Sequence, residues 1–190
     1  MTIRTTIITA TAFLALSACG KGADTTATNT AVQTANTSEV ALPPAAPAMT
    51  AAQSFANAAA ASDAFEIATS QLALSKSASA SIKSFAQKMI DGHTASTAKL
   101  KTAAAEASPA VTPDPTLTAE QQQTLNQMKA LNGSAFDQGY IAAQASGHQR
   151  TLDVLRAYAA SGDTPSLKAF AADLVPTVTA HLNTAKGLTA

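Results

Sequence analysis

Four polar residues stand where apolar ones are expected. They are Glu66, His93, His148 and His181, each on the apolar face of a different helical stretch, and the three histidines are all that the chain contains. Neutral imidazole is a common transition-metal ligand, and carboxylates often join it. Three imidazoles and one carboxylate at one level could bind a single divalent ion such as Zn²⁺, Cu²⁺ or Fe²⁺. The same four residues could instead close a metal-free hydrogen-bonded layer, with Glu66 accepting from the imidazoles, or each could be an unrelated core residue. No Ser/His/Asp arrangement, phosphate loop or Cys-x-x-Cys motif is present.

Helices carry all four residues. Advancing 100° per residue from about Thr50 to Lys76, Ala59, Ser62 and Ala73 fall beside Glu66, and Gln71 and Ser75 face away. A turn at Ser77 to Ser81 leads to a second helix reaching about Ala107. There Ile82, Ala86, Met89 and Leu100 share the face of His93, while Asp91 points roughly to the opposite side. Pro109, Pro113 and Pro115 make a loop, and Thr118 with Gln121 forms a capping box for a short helix ending near Leu131. Ser134 is expected to cap the third long helix, which aligns Ile141, Gln144, Leu152 and Leu155 with His148 and ends at Ser161 against Gly162. The last helix runs from Pro165 to about Lys186, with Phe170, Leu174 and Val178 on the face of His181 and a kink expected at Pro176.

Sustained apolar/polar alternation is missing, so the class is all-α. Four long helices are joined by a short turn, a long crossover carrying one short helix, and another short turn. This is the connectivity of a ferritin-like four-helix bundle. His148 lies about 13 residues before the Gly162 turn and His181 about 16 after Pro165, while Glu66 and His93 are each about a dozen from the Ser77–Ser81 turn. All four are therefore expected at mid-bundle. A di-iron carboxylate centre lacks its ligands, because Ile90, Ala145 and Val178 stand three residues before the histidines where such sites use Glu. No enzymatic activity is expected, a redox enzyme built on a reduced metal centre being the least favoured reading. Gly92 and Gly147 immediately precede His93 and His148, and each costs about 1 kcal/mol against Ala in a helix, which points to close packing or a local bulge. Asp137 forms Ser-x-x-Asp with Ser134 and reads as a capping residue, and Tyr140 as a core or interface residue.

The 190 residues suit one modest domain, with 12 basic and 12 acidic side chains and no basic patch, so nucleic acid is not an expected partner. The single cysteine, Cys19, excludes an internal disulfide. Arg4, the apolar run Ile7 to Leu16 and the sequence Leu16-Ser17-Ala18-Cys19 read as a lipoprotein signal peptide over residues 1–18, with Cys19 lipidated. The plain alternative is a signal cut elsewhere with Cys19 incidental. Gly20 after the cysteine favours an outer-membrane anchor facing the periplasm, so the expected partner is a membrane; no protein partner is identified. Residues 19–49, Thr/Ala/Asn-rich and ending in Pro43, Pro44 and Pro47, read as a tether with a reach of roughly 30 Å. Residues 50–190 form the bundle.

Three stretches in this order resemble the DUF4142 family of bacterial exported proteins: Phe85 to His93 (FAQKMIDGH), Leu131 to Tyr140 (LNGSAFDQGY) followed by His148, and Leu174 to His181 (LVPTVTAH). The resemblance implies a ferritin-like bundle in the periplasm or at the outer membrane, with no established biochemical function and with Glu66, His93, His148 and His181 on the family's polar positions. The chain departs from the family pattern at Gly92 and Gly147, where members often carry an acidic residue, and at Thr179-Ala180, where many carry Glu. The functional expectation is a lipid-anchored, periplasm-facing bundle that could bind one divalent metal through its layer of three histidines and one glutamate. The alternative is a structural or interaction module of the cell envelope with a metal-free polar core layer.

Overall fold

The computed structural model describes residues 48–190. The signal sequence, Cys19 and nearly all of the tether lie outside the described residues. Side-chain caps set most helix starts. Thr50 accepts from the Gln53 amide (3.1 Å) at α1 (Ala51–Lys76), and Ser79 accepts from the Ile82 amide (3.4 Å) at α2 (Ala80–Ala105). Thr118 and Gln121 close the expected capping box on α3 (Ala119–Ala130). Each such cap contributes about 1 kcal/mol.

The start of α4 (Gly133–Ser161) differs from expectation. Its N-cap is Asn132, without a side-chain cap bond, and Ser134 lies inside the first turn, where its hydroxyl accepts from Gln138 Nε2 (3.1 Å). Gly133 adopts φ +55°, a left-handed conformation open to glycine, so the chain turns into the helix before Ser134 can serve as a cap. Asp137 is buried rather than paired with Ser134 in a capping motif. At the other end Gly162 is the C-cap with an ordinary φ of −58°. A Cβ there would stand 2.6 Å from the Tyr158 carbonyl, so close approach, not handedness, requires the glycine. α5 (Pro165–Gly187) opens on Pro165 and stays helical through Pro176.

The helices pack chiefly as two hairpins, α1 with α2 and α4 with α5, joined by α1 against α4 and α2 against α5. The crossover sets this arrangement. Gln53 donates to the Thr112 carbonyl (2.6 Å), the Asp114 amide to Asn57 Oδ1 (3.0 Å), Gln121 to the Ala61 carbonyl (3.3 Å), and Lys76 Nζ to the carbonyls of Lys129 and Leu131 (2.9 Å each). Partners on α1 rise in step with the crossover, which therefore runs parallel to α1 and delivers α4 to its far end. α4 returns antiparallel to α1, as in a ferritin-like bundle. Among the described residues there is no strand, and no helix is long and apolar enough to cross a membrane.

The core is in two parts. One apolar cluster includes Phe55, Leu100, Leu155, Leu167 and Phe170; the other includes Ile82, Phe85, Met89, Phe136 and Tyr140. Glu66, His93 and His148 fall between the two along α1, α2 and α4, so a polar layer interrupts the apolar core at mid-bundle.

Candidate metal centre

α2, α4 and α5 each bring one histidine to this layer. The ring centroids of His93, His148 and His181 stand 5.5 to 5.8 Å apart, and one ring nitrogen from each lies within 4.8 Å of the others. Nitrogens about 2.0–2.1 Å from a tetrahedral zinc ion are roughly 3.4 Å apart, so closing the cluster on an ion draws them together by at most about 1.4 Å. His93 and His148 are buried and His181 is half-buried.

Two of the rings are held from behind. Nδ1 of His93 bonds Asp63 Oδ1 at 2.8 Å, and the other oxygen of Asp63 accepts from the Thr97 hydroxyl at 3.0 Å. Nδ1 of His148 donates to the Gln144 carbonyl, one turn back on α4, at 2.9 Å. Nε2 of both rings, and Nδ1 of His181, are buried without a bond to any protein group. A buried nitrogen left unpaired costs about 1–3 kcal/mol, so three in one layer require an explanation. Carboxylate or carbonyl on one ring nitrogen, with the other nitrogen free, is the arrangement that orients imidazole toward a metal.

Glu66 lies behind His148 rather than in the cluster. Its Oε2 accepts a very short hydrogen bond from Gln144 Nε2, which also donates to the Thr69 hydroxyl at 3.2 Å. Oε1 is 3.7 Å from His148 Nδ1, the nitrogen already engaged by the Gln144 carbonyl. The two glycines now have a physical account. A Cβ on Gly147 would stand 2.6 Å from Glu66 Oε1, and one on Gly92 would stand 3.1 Å from His181 Cε1. Both make room for side chains of the layer.

Burial dominates the electrostatics. It raises the Glu66 carboxyl to about 7, against lowering by His93 and the Gln144 hydrogen bond. Burial, with His93 nearby, lowers His148 to about 3 and His181 to about 4. Burial also opposes a charged His93, but the Asp63 hydrogen bond and the charges of Glu66 and Asp63 outweigh it and hold this ring above its ordinary value. Of the three rings, His93, facing Asp63, is the one whose charged form the layer favours, while His148 and His181 are held toward the neutral form.

The structure thus brings together three of the four sequence-selected residues and sets the fourth beside them. Asp63 escapes a reading by sequence, although it is three residues before Glu66 and so on the same helix face. Periodicity places Gln144 on the His148 face but gives it no role. Tyr140 is a core residue, its hydroxyl 2.9 Å from Ser70 Oγ. Asp91 is exposed and accepts from Gln87, away from His93.

The sequence pattern of the DUF4142 family, described as a domain of unknown function, matches residues 38–188. No curated protein and no solved structure matches the chain. The matched span covers the last part of the tether and every helix described above, so the chain belongs to the DUF4142 family.

Proposed function

We propose that this protein is a metal-binding helical bundle of the cell envelope, held to the outer membrane by a lipid on Cys19 and taking up one divalent transition ion. The observation that carries the reading is the convergence of three imidazoles, one nitrogen of each within 4.8 Å of the others, with Asp63 and the Gln144 carbonyl behind two of the rings and an unpaired buried nitrogen on all three. His93, His148 and His181 are the ligands. Glu66 balances charge from behind His148 without binding the ion. Nitrogen donors of this kind suit Zn²⁺, Cu²⁺ or Fe²⁺. Asp63, bonded to Nδ1 of His93, leaves Nε2 of that ring to the ion, and a proton displaced from Nε2 on binding would pass to solvent. The role is binding or buffering of metal rather than catalysis.

A second reading, a metal-free layer that fixes helix register in a structural module, draws support from the Glu66–Gln144–Thr69 network, whose hydrogen bonds join protein groups alone. Elemental analysis of protein purified without a histidine tag separates the two. The first reading expects one equivalent of a transition metal retained after dialysis or restored on addition; the second expects none. The anchor is tested separately by mass spectrometry of the N-terminus from cells. A diacyl or triacyl adduct on Cys19 is expected, and an unmodified Cys19 refutes the anchor.

A further inference from the structure

The polar layer has two unlike sides. Toward one end of the bundle it is closed by Gln144 and Thr69, each hydrogen-bonded to the other. Toward the opposite end lies a cavity of about 30 Å³ whose lining includes the rings of His93 and His181. Of the other lining residues, four lie three positions from a residue of the layer, all in the same direction. Ser96 is three residues after His93 on α2, Thr151 three after His148 on α4, and Val178 three before His181 on α5; Asp63 is three before Glu66 on α1. Because each hairpin is antiparallel, these offsets all point to one end. The cavity therefore sits directly against the histidine layer, walled by Leu155 and Leu174, with exposed Thr177 at its rim.

Three nitrogen ligands leave one vertex of a tetrahedral ion unfilled. Gln144 and Thr69 close one side of the layer, and the cavity lies on the other. A volume of this size holds about two water-sized groups or a slender ligand of similar bulk, and nothing larger. We propose that the fourth position of the metal opens into this cavity, where it carries an exchangeable ligand: a water, or a small monodentate anion of about three heavy atoms or fewer. This inference rests on the metal reading above and adds to it an accessible coordination site. Ser96 supplies a hydroxyl at the wall, while Leu155, Leu174 and Val178 exclude bulkier or bidentate ligands.

Cobalt(II) in place of the native ion makes both claims visible. The full chain loaded with Co²⁺ should show the intense visible bands of a four-coordinate site, and added azide should shift them saturably. Leu174→Phe, which fills the cavity, and Thr177→Trp, which covers its exposed rim, should keep the cobalt bands and weaken azide binding about tenfold or more. If Leu174→Phe does not fold, the surface variant carries the test alone. Cobalt bands indifferent to azide overturn the open position and leave the metal site standing. Azide shifts of equal affinity in wild type and both variants overturn the cavity as the ligand's place. No cobalt bands at all overturn the metal reading and this inference together.

Discussion

Asp63 and Glu66, one turn apart on α1, do different work in the account, and substitution should separate them. Asp63 aims His93 and offsets charge; Asp63→Asn should leave the three imidazoles in place yet weaken metal affinity about 10- to 100-fold, the usual cost of losing such a partner. Competition with a chromophoric chelator measures this. Equal affinity in the variant would remove Asp63 from the site. Glu66 should matter instead to pH. Its carboxyl is raised from 4.5 to about 7, so its contribution to stability is complete below about 4.5 and is lost as pH rises through about 7, roughly 3 kcal/mol in all. His148 and His181, lowered from 6.5 to about 3 and 4, act oppositely: their contribution is present above 6.5 and lost as pH falls. The metal-free protein should therefore melt highest near pH 6.5. Glu66→Gln should flatten the alkaline decline, leaving the part due to His93, whose raised value gives a loss of the same sign. Thermal melts from about pH 6 to 8 check this; identical slopes in variant and wild type would show that Glu66 is not the titrating group.

At the scale of the helix, glycine placement is the testable feature. Gly147→Ala should improve intrinsic helix propensity by about 1 kcal/mol, yet its Cβ would meet Glu66 Oε1 at 2.6 Å in a buried layer. Overpacking should win, for a net loss of about 1–3 kcal/mol. Gly187→Ala, with nothing within 4 Å of the new Cβ, is the control and should be neutral or slightly stabilising. Denaturant unfolding of the pair measures the difference; equal stability would mean that α4 can shift away from Glu66 at no cost. The helices themselves are legible in the sequence because the apolar positions recur with a 3.6-residue period and Thr118 with Gln121 marks a start unambiguously. Ser134 misleads because residue type alone suggests a cap, while the outcome turns on the positive φ of Gly133. The clash that requires Gly162 is equally invisible, since it arises from the position of the Tyr158 carbonyl and not from any local pattern.

For the whole molecule, the short turns fix the heights of the four polar residues well enough to place them in one layer from sequence alone. What periodicity cannot supply is ring orientation. By sequence Glu66 is a ligand equal to the histidines, and only the fold puts it on the engaged side of His148, with Asp63 against His93. The bundle as a whole pays for this layer in core continuity: its apolar interior is divided in two, and three imidazole nitrogens are buried without a protein partner. An ion that binds the folded layer and not the unfolded chain would recover that cost, raising the melting temperature with metal concentration. The most direct test is calorimetric titration of Zn²⁺ into tag-free protein, its His148→Ala variant and its Glu66→Gln variant. About one ion per chain is expected in the wild type and in Glu66→Gln, and no stoichiometric binding in His148→Ala. Absence of binding in the wild type, or undiminished binding without His148, would contradict that expectation.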